Sequence, residues 1–383
     1  MSSGATPQKL VDIHIVEGRK RENSYIVHLK DNVDKSRYLR ELNGQLGANS
    51  SVEFDYPSGF ANAFAGTFEE DTLNYIRASS DVESIYEDAI GSIFVGTVQF
   101  SPSSRFDASW GLNRISQRPK LPFSYTYDDG ATGKDVDIYV MDTGVDVDHD
   151  DFGGRASWGW VRYGLPEADD NGHGTQVASV AAGTHYGVAK EASIIALKTH
   201  DQNGDAPAAV IFNAMAWIWN KVQETKRPSI VNMSFGFYPP EENIDKGVKE
   251  LTDSGIHVCA AAGNSARDAS DISPARCPTA ITVGASNLDD ARLKTSNFGA
   301  VVTVFAPGER IKAATTGGQN AMTYDDGTSF AAPHVSGLVA YFVSLAGNVS
   351  PEEMMGRVTH VALQNVLSDI PAGTPNLLAN NGH

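Results

Sequence analysis

From Trp110 to the C-terminus, short apolar runs alternate with stretches of helical periodicity. No other feature limits the possible folds as much. Residues 136–141, 193–197, 230–234, 258–262 and 280–284 read as strands. Residues 208–222, 244–254 and 329–345 read as helices, the last one long and apolar. Strands separated by helices line up in a parallel sheet covered by helices on both faces. The expected fold class is therefore α/β, a doubly wound parallel sheet. Functional side chains in such sheets gather at the carboxyl ends of the strands.

The residues before Trp110 follow another pattern. Residues 1–22 read as a polar leader, and from Asn23 the periodicity sharpens. Residues 25–29 alternate as a strand, 33–45 have helical spacing, and 52–56 and 61–68 are further strands. A helix over 68–79 has Glu69, Glu70 and Asp71 in its first turn, and 82–86 forms a last strand. That order belongs to a small α+β ferredoxin-like unit. Residues 95–109, with Gly, Pro and several Ser, read as a linker. The division is thus 1–22 leader, 23–94 small domain, 95–109 linker and 110–383 large domain, and 383 residues suit two domains.

Composition narrows the function. With 41% apolar and 20% charged residues the chain is globular, and a net charge of −17 argues against a nucleic-acid or anionic-membrane surface. No uninterrupted apolar run reaches the roughly 18 residues of a membrane span. The first eight residues are small and polar, without the apolar run of a signal peptide. Two cysteines, Cys259 and Cys277, are too few for a disulfide scaffold or a four-Cys zinc site, and leave one bridge or two buried thiols open.

Three local sequences carry candidate chemistry. Asp142 follows the 136–141 strand and opens Asp142-Thr-Gly-Val-Asp, where a carboxylate is placed to orient an imidazole. His173 lies between glycines in Asn171-Gly-His-Gly-Thr, and flanking glycines let another backbone approach closely. Ser329 lies in Gly327-Thr-Ser-Phe-Ala-Ala-Pro-His at the start of the long helix, with Pro333 expected in the first turn. The positive end of that helix and its free N–H groups suit an oxyanion. Singly, each residue has an ordinary explanation: a loop-capping Asp, a packed His, an N-cap Ser. Together they say more. A serine hydroxyl is a weak nucleophile until a base takes its proton, and the base needs a third group to hold its tautomer. One candidate for each role, in the order Asp, His, Ser and 31 and 156 positions apart, meets that need. Asn264, in Ala261-Ala-Gly-Asn-Ser after the 258–262 strand, has an amide placed to donate to a developing oxyanion.

With these motifs, residues 110–383 resemble the subtilases, and within them the proteinase-K-like fungal branch. The matching stretches are Trp110-Gly-Leu-Asn-Arg-Ile-Ser, Val140-Met-Asp-Thr-Gly-Val, Asn171-Gly-His-Gly-Thr, Tyr186-Gly-Val-Ala, Ala261-Ala-Gly-Asn, Gly327-Thr-Ser-Phe-Ala-Ala-Pro-His-Val and Asn376-Leu-Leu. Residues 23–94 resemble the inhibitor-type propeptide of that family. The resemblance implies a subtilisin-like fold and peptide-bond hydrolysis through an acyl-enzyme. Ser329 would attack, His173 would shuttle the proton, Asp142 would orient His173, and Asn264 with the Ser329 N–H would hold the oxyanion. Substrate would add as a strand between Ser234-Phe235-Gly236 and Gly204-Asp205-Ala206. Ala261, Ala262 and Gly263 would line one wall of an apolar S1 pocket, giving broad specificity with an apolar or aromatic residue before the cut.

The chain also departs from the family. Thr303 stands where relatives place a calcium-binding carboxylate, and Gln117 and Arg118 occupy a second family calcium site. No metal and no cofactor is carried over on that basis, and Asp146, Asp148, Asp150 and Asp151 read as a solvated acidic loop. The family's paired cysteines are not matched. Phe237-Tyr-Pro-Pro replaces family glycines, and His200 and Ala208 replace residues that shape the outer substrate pockets.

The leading expectation is a self-processing endopeptidase, cut between Phe94 and Arg105, with Phe94 and Phe100 as the apolar candidates before the cut. A catalytically silent binding protein is disfavoured because all four catalytic positions are filled. An ester hydrolase is disfavoured by the two substrate-pairing segments. Expected partners are protein or peptide substrates and the chain's own propeptide, with no nucleic acid, no membrane and a monomeric state. The family is secreted or vacuolar, and no segment read here directs either.

Overall fold

The structure, a computed structural model, describes residues 10–94, 110–117 and 125–383. The first nine residues of the leader, the 95–109 linker with Phe100 and Arg105, and Arg118 lie outside the described residues. The N-terminal unit comprises β1 (Ile13–His14), β2 (Lys20–Leu29), α1 (Lys35–Asn43), β3 (Ser51–Asp55), β4 (Ala63–Thr67), α2 (Glu70–Ala78) and β5 (Val82–Ile93). Its strands lie in the order β1-β5-β2-β4-β3, all antiparallel except β1. Both faces of this sheet are covered. Val27 and Leu29 of β2 join a core with Leu42 of α1 and Ile76 of α2, while Ile26 faces the other way into the large domain. Strand β2 begins at Lys20, inside the stretch expected to be a leader, because Lys20 pairs with Ala89.

Strand β5 departs most from expectation. It continues past Tyr86 to Ile93, although Glu87-Asp88-Ala89-Ile90-Gly91 lacks the alternation of a strand. Glu87 and Ala89 pair with β2, the large domain supplies the partners of Ile90 to Ile93, and Asp88, fully buried, accepts from the Ala209 N–H at 2.9 Å.

The large domain follows as α3 (Trp110–Ile115), β6 (Asp137–Asp142), β7 (Ala156–Val161), α4 (His173–Ala182), β8 (Ser193–Lys198), β9 (Asp205–Pro207), α5 (Ala208–Thr225), β10 (Ser229–Met233), β11 (Phe235–Gly236) and α6 (Glu242–Asp253). Next come β12 (His257–Ala261), β13 (Ile281–Ser286), β14 (Val304–Pro307), β15 (Ile311–Ala314), β16 (Met322–Asp325), α7 (Thr328–Ala346), α8 (Pro351–Val361), β17 (Leu363–Gln364) and β18 (Leu377–Leu378). Nine strands form one sheet in the order β17-β18-β14-β13-β12-β10-β6-β8-β7, parallel except for the β17–β18 pair. The central strands are rich in apolar residues because both faces are buried. In β6, Ile138 and Val140 enter the core of α4 and α7, whereas Tyr139 and Met141 enter the core of α5 and α6. The N-terminal sheet packs on this second side, where Tyr56, Phe60 and Ala65 share a core with Phe212 and Met215.

Helix α7 is apolar on every side. Its length and hydropathy alone would let it cross a membrane, but 83% of that window is buried inside the protein, as suits a central helix. Pro333 sits beyond the first turn, not within it as expected, since the helix begins at Thr328. Lacking an N–H, Pro333 cannot bond the Ser329 carbonyl four residues back. The Ser234 hydroxyl takes that carbonyl instead, at 2.9 Å. Cys259 and Cys277 are both buried and free.

Candidate active site

Asp142, His173 and Ser329 each stand at the end or the start of an element of the large domain, and the first two pair directly. Asp142 is the last residue of β6, the strand from which the sheet order runs on to β8 and β10 on opposite sides. His173 opens α4, and Ser329 is the second residue of α7. His173 Nδ1 lies 2.8 Å and 3.0 Å from the two carboxylate oxygens of Asp142. Its Nε2 is buried and has no hydrogen-bond partner. The imidazole is therefore held by one nitrogen and presents the other as a base. Burial works against protonating His173, but the charge and hydrogen bond of Asp142, with the charges of Asp325 and Asp169, outweigh it and hold the group above its ordinary value.

A second imidazole lies nearby. The His200 backbone N–H donates to the Asp142 carbonyl at 3.1 Å, and its ring lies 4.8 Å from that of Phe235. Burial pushes His200 down to about 4, so it stays neutral where His173 titrates.

Asp169 sets the loop before α4. Its Oδ1 accepts from the Gly172 N–H at 2.8 Å and from Thr143 Oγ1 at 2.8 Å, and its Oδ2 accepts from the Thr175 N–H at 2.9 Å. Thr143 Oγ1 in turn accepts from the Gly174 N–H at 3.0 Å. These bonds fasten the end of β6 to the start of α4, which fixes Asp142 against His173. The reading from sequence passes over Asp169, although Asp169-Asp170-Asn171-Gly172 has the composition of an Asx turn.

Ser329 meets a strand rather than an empty cleft. Its Oγ donates to the Phe94 carbonyl at 2.9 Å and to the Ser234 carbonyl at 3.2 Å. Asn264 Nδ2 donates to the same Phe94 oxygen at 3.4 Å. The other end of that amide is fixed, because Asn264 Oδ1 accepts from Thr328 N and Thr328 Oγ1, each at 2.9 Å. Gly327 makes this approach possible. Its φ of +133° is one that other residues rarely adopt, and a Cβ there would lie 2.5 Å from Asn264 Nδ2.

The segments expected to bind substrate flank β5 on both edges. Phe235 and Gly236 pair antiparallel with Ile93 and Ser92, while Asp205 and Ala206 pair with Ser92 and Gly91. Gly204 O accepts from the Ile93 N–H at 2.9 Å, and Ser234 O accepts from the Phe94 N–H at 3.4 Å. Ser92 Oγ donates to Asp205 Oδ1 at 2.6 Å. The Phe94 ring lies over Gly236, where any Cβ would collide with it, and packs on the core that holds Ala262, Ile272 and Phe305. Ala261 is fully buried at the end of β12, and Gly263 N donates to Thr328 Oγ1 at 3.0 Å. Ser329, Asn264 and the two pairing segments thus meet around Phe94, and Asp142 and His173 form a hydrogen-bonded pair.

Thr303 Oγ1 accepts from the Thr282 N–H at 3.1 Å, and Gln117 Oε1 accepts from Asn113 Nδ2 at 2.9 Å. Among the described residues no group of three or more His, Cys, Asp or Glu side chains is arranged to hold a metal ion.

Residues 133–381 match the Subtilase family of peptidases. A Subtilisin-like serine protease, Pen ch 18, from Penicillium rubens is 36% identical, over 94% of this chain and 80% of its own length. Alkaline protease 1 from Emericella nidulans is 38% identical, over 92% of this chain and 85% of its own. Among solved structures, a cold adapted subtilisin-like serine proteinase superposes with a TM-score of 0.66 at 36% identity, covering 71% of this chain and 97% of that one. Fervidolysin from Fervidobacterium pennivorans, at 19% identity, shares the fold over 98% of this chain and 63% of its own, with a TM-score of 0.78.

Proposed function

The chain belongs to the subtilase family, and from that premise we propose that it is a serine endopeptidase that cuts its own Phe94–Val95 bond using Asp142, His173, Ser329 and Asn264. The observation that carries this reading is the Phe94 carbonyl, held beside Ser329 Oγ and Asn264 Nδ2 by a strand paired on both edges. Reacting groups held in that geometry have already met most of the entropic cost of encounter.

The steps follow from the contacts. The Ser329 hydroxyl turns from the Phe94 and Ser234 carbonyls toward His173 Nε2, which has no other partner. As Oγ bonds to the Phe94 carbonyl carbon, its proton passes to Nε2, and the Asp142 carboxylate stabilises the imidazolium without taking the proton. The carbonyl π electrons move onto the Phe94 oxygen, where Asn264 Nδ2 and the Ser329 N–H receive the charge. Collapse breaks the bond to the Val95 nitrogen, which takes the proton from Nε2 and leaves as an amine. Phe94 remains as an ester on Ser329 Oγ. Water then attacks the ester, His173 takes its proton, and the same oxyanion site serves again. Ser329 recovers its proton and Phe94 leaves as a carboxylate.

The ring of Phe94 over Gly236 supports an apolar or aromatic preference before the cut. On this reading residues 23–94 act as a propeptide that occupies the site. Expression of the full chain beside Ser329→Ala, with intact masses of both, tests it. Wild type is expected to yield a fragment ending at Phe94 while the variant stays whole. Two folded, uncut proteins would sink the proposal.

A further inference from the structure

Residues 91–94 show what the site accepts at each position before the cut. Counting back from the Phe94–Val95 bond, Phe94 is P1, Ile93 is P2, Ser92 is P3 and Gly91 is P4. A glycine within a ten-residue or longer strand weakens it, so a reason is needed for Gly91. Backbone conformation does not supply one, because Gly91 is extended within β5 and its φ is not positive. Space does. A Cβ on Gly91 would lie 2.6, 2.7 and 2.8 Å from three ring carbons of Phe237.

That ring has no room to withdraw. Phe237 is 1% exposed. Its N–H donates to the Ser273 carbonyl at 2.8 Å, and its carbonyl accepts from the Ser273 N–H at 3.3 Å. The ring meets Phe235 edge to face at 6.3 Å, and Phe235 in turn rests on His200 at 4.8 Å. Behind these rings lies the core that contains Met233 and Ile244. The contact is thus with a fixed wall, and a densely packed wall does not yield a methyl group's width cheaply.

We propose that Phe237 closes the fourth subsite, so that this peptidase selects glycine at P4 and rejects longer side chains there. The proposal rests on the reading of Phe94 as P1. It gives the substrate class as chains with glycine three residues before an aromatic or apolar P1. Phe237 is a specificity-determining residue and takes no part in the reacting centre.

Rates of self-cutting in the full chain test this. Gly91→Ala is expected to slow cutting about tenfold and Gly91→Val about a hundredfold or more. Phe237→Ala, added to Gly91→Val, is expected to bring the rate back to within a few-fold of Phe237→Ala alone. A Gly91→Val chain that cuts as fast as wild type overturns the proposal. A second measurement avoids any variant. Wild-type protein that has completed its own cut is offered Gly-Ser-Ile-Phe and Val-Ser-Ile-Phe peptides carrying a chromogenic amide. A kcat/KM ratio of about a hundred supports the closed subsite, and a ratio near one overturns it. Wild type that neither cuts itself nor cleaves either peptide would defeat the endopeptidase assignment itself, a result distinct from equal cleavage of both.

Discussion

The proposed role of Asn264 predicts a loss in rate that is separable from a loss in stability. In the resting arrangement Nδ2 is 3.4 Å from the Phe94 oxygen, long for an N–H···O bond. Such a contact adds little to holding the strand, which is already paired on both edges. As the carbonyl carbon becomes tetrahedral, negative charge gathers on that oxygen in a buried setting, and the same contact strengthens. One donor of this kind is worth about 3 kcal/mol, or roughly 10²–10³ in turnover, a magnitude established on the corresponding amide of subtilisin itself. Asn264→Ala also removes the acceptor for Thr328 N and Oγ1, a contact resembling a helix cap and worth about 1 kcal/mol of stability. Asn264→Asp keeps that acceptor, removes the donor and adds a negative charge beside the Phe94 oxygen. Appearance of the fragment ending at Phe94, followed by intact mass, gives the rate, and urea midpoints in the Ser329→Ala background give the stability. Asn264→Ala is expected to cut roughly 10²–10³-fold more slowly and Asn264→Asp at least as slowly, with the helix-cap contribution to stability lost only in Asn264→Ala. Cutting by Asn264→Asp at the wild-type rate would refute the assignment.

Three further outcomes are expected. The proposed mechanism needs neutral His173, whose protonation is favoured above the ordinary value of 6.5, so kcat/KM is expected to fall on acidification at a pH above that value. Asp325→Asn removes one charge that favours the imidazolium, so the acidic limb moves to lower pH. An unmoved limb in a peptide assay counts against that coupling. Phe94→Ala empties the ring's place over Gly236; losing about 2 kcal/mol of burial slows self-cutting roughly thirtyfold, read by mass over time. Glu241, buried at the start of α6, is pushed up by burial from 4.5 to about 7. The folded state therefore holds a proton that the unfolded state has released between those values, and stability falls as pH rises through them. The difference approaches about 3 kcal/mol by pH 8. In the Ser329→Ala background, Glu241→Gln is expected to reduce the drop in urea midpoint between pH 5 and pH 8, and an identical drop would contradict this.

The legible parts of the chain are those whose signal is local. The strand 136–141 is apolar from Ile138 to Met141 because both its faces are buried there, and β6 lies there, one residue displaced. Asp142, His173 and Ser329 are each marked by glycines that let chain segments approach, so three short motifs locate them. Helix α8 is passed over in the sequence reading because its apolar spacing is weak, although Ser350 and Glu353 form a capping box and Pro351 takes its first position. Other features have no local signal. The end of β5, from Ile90 to Ile93, holds Gly91, and partners more than a hundred residues downstream complete it as a strand. Strand β7 lies at the sheet edge with mostly half-buried side chains, so its sequence lacks the apolar run of the inner strands. Phe237 reads as a departure from family glycines, but what it faces emerges only when Gly91 is brought against it.

Pro333 leaves the carbonyl of Ser329 to Ser234, and Ser234 also accepts from the Phe94 N–H through its own carbonyl. One residue thus serves as a common anchor for the incoming chain and for the backbone of the attacking residue. Alignment of the two is set across a single side chain and its peptide group, with no long lever between them. A displacement of β11 that loosened the incoming strand would pull on Ser329 in the same movement. Under the proposed mechanism such a joint couples misfit to misalignment: a polypeptide that pairs badly with β11 would also meet Ser329 out of position, so selectivity would enter through turnover as well as through binding.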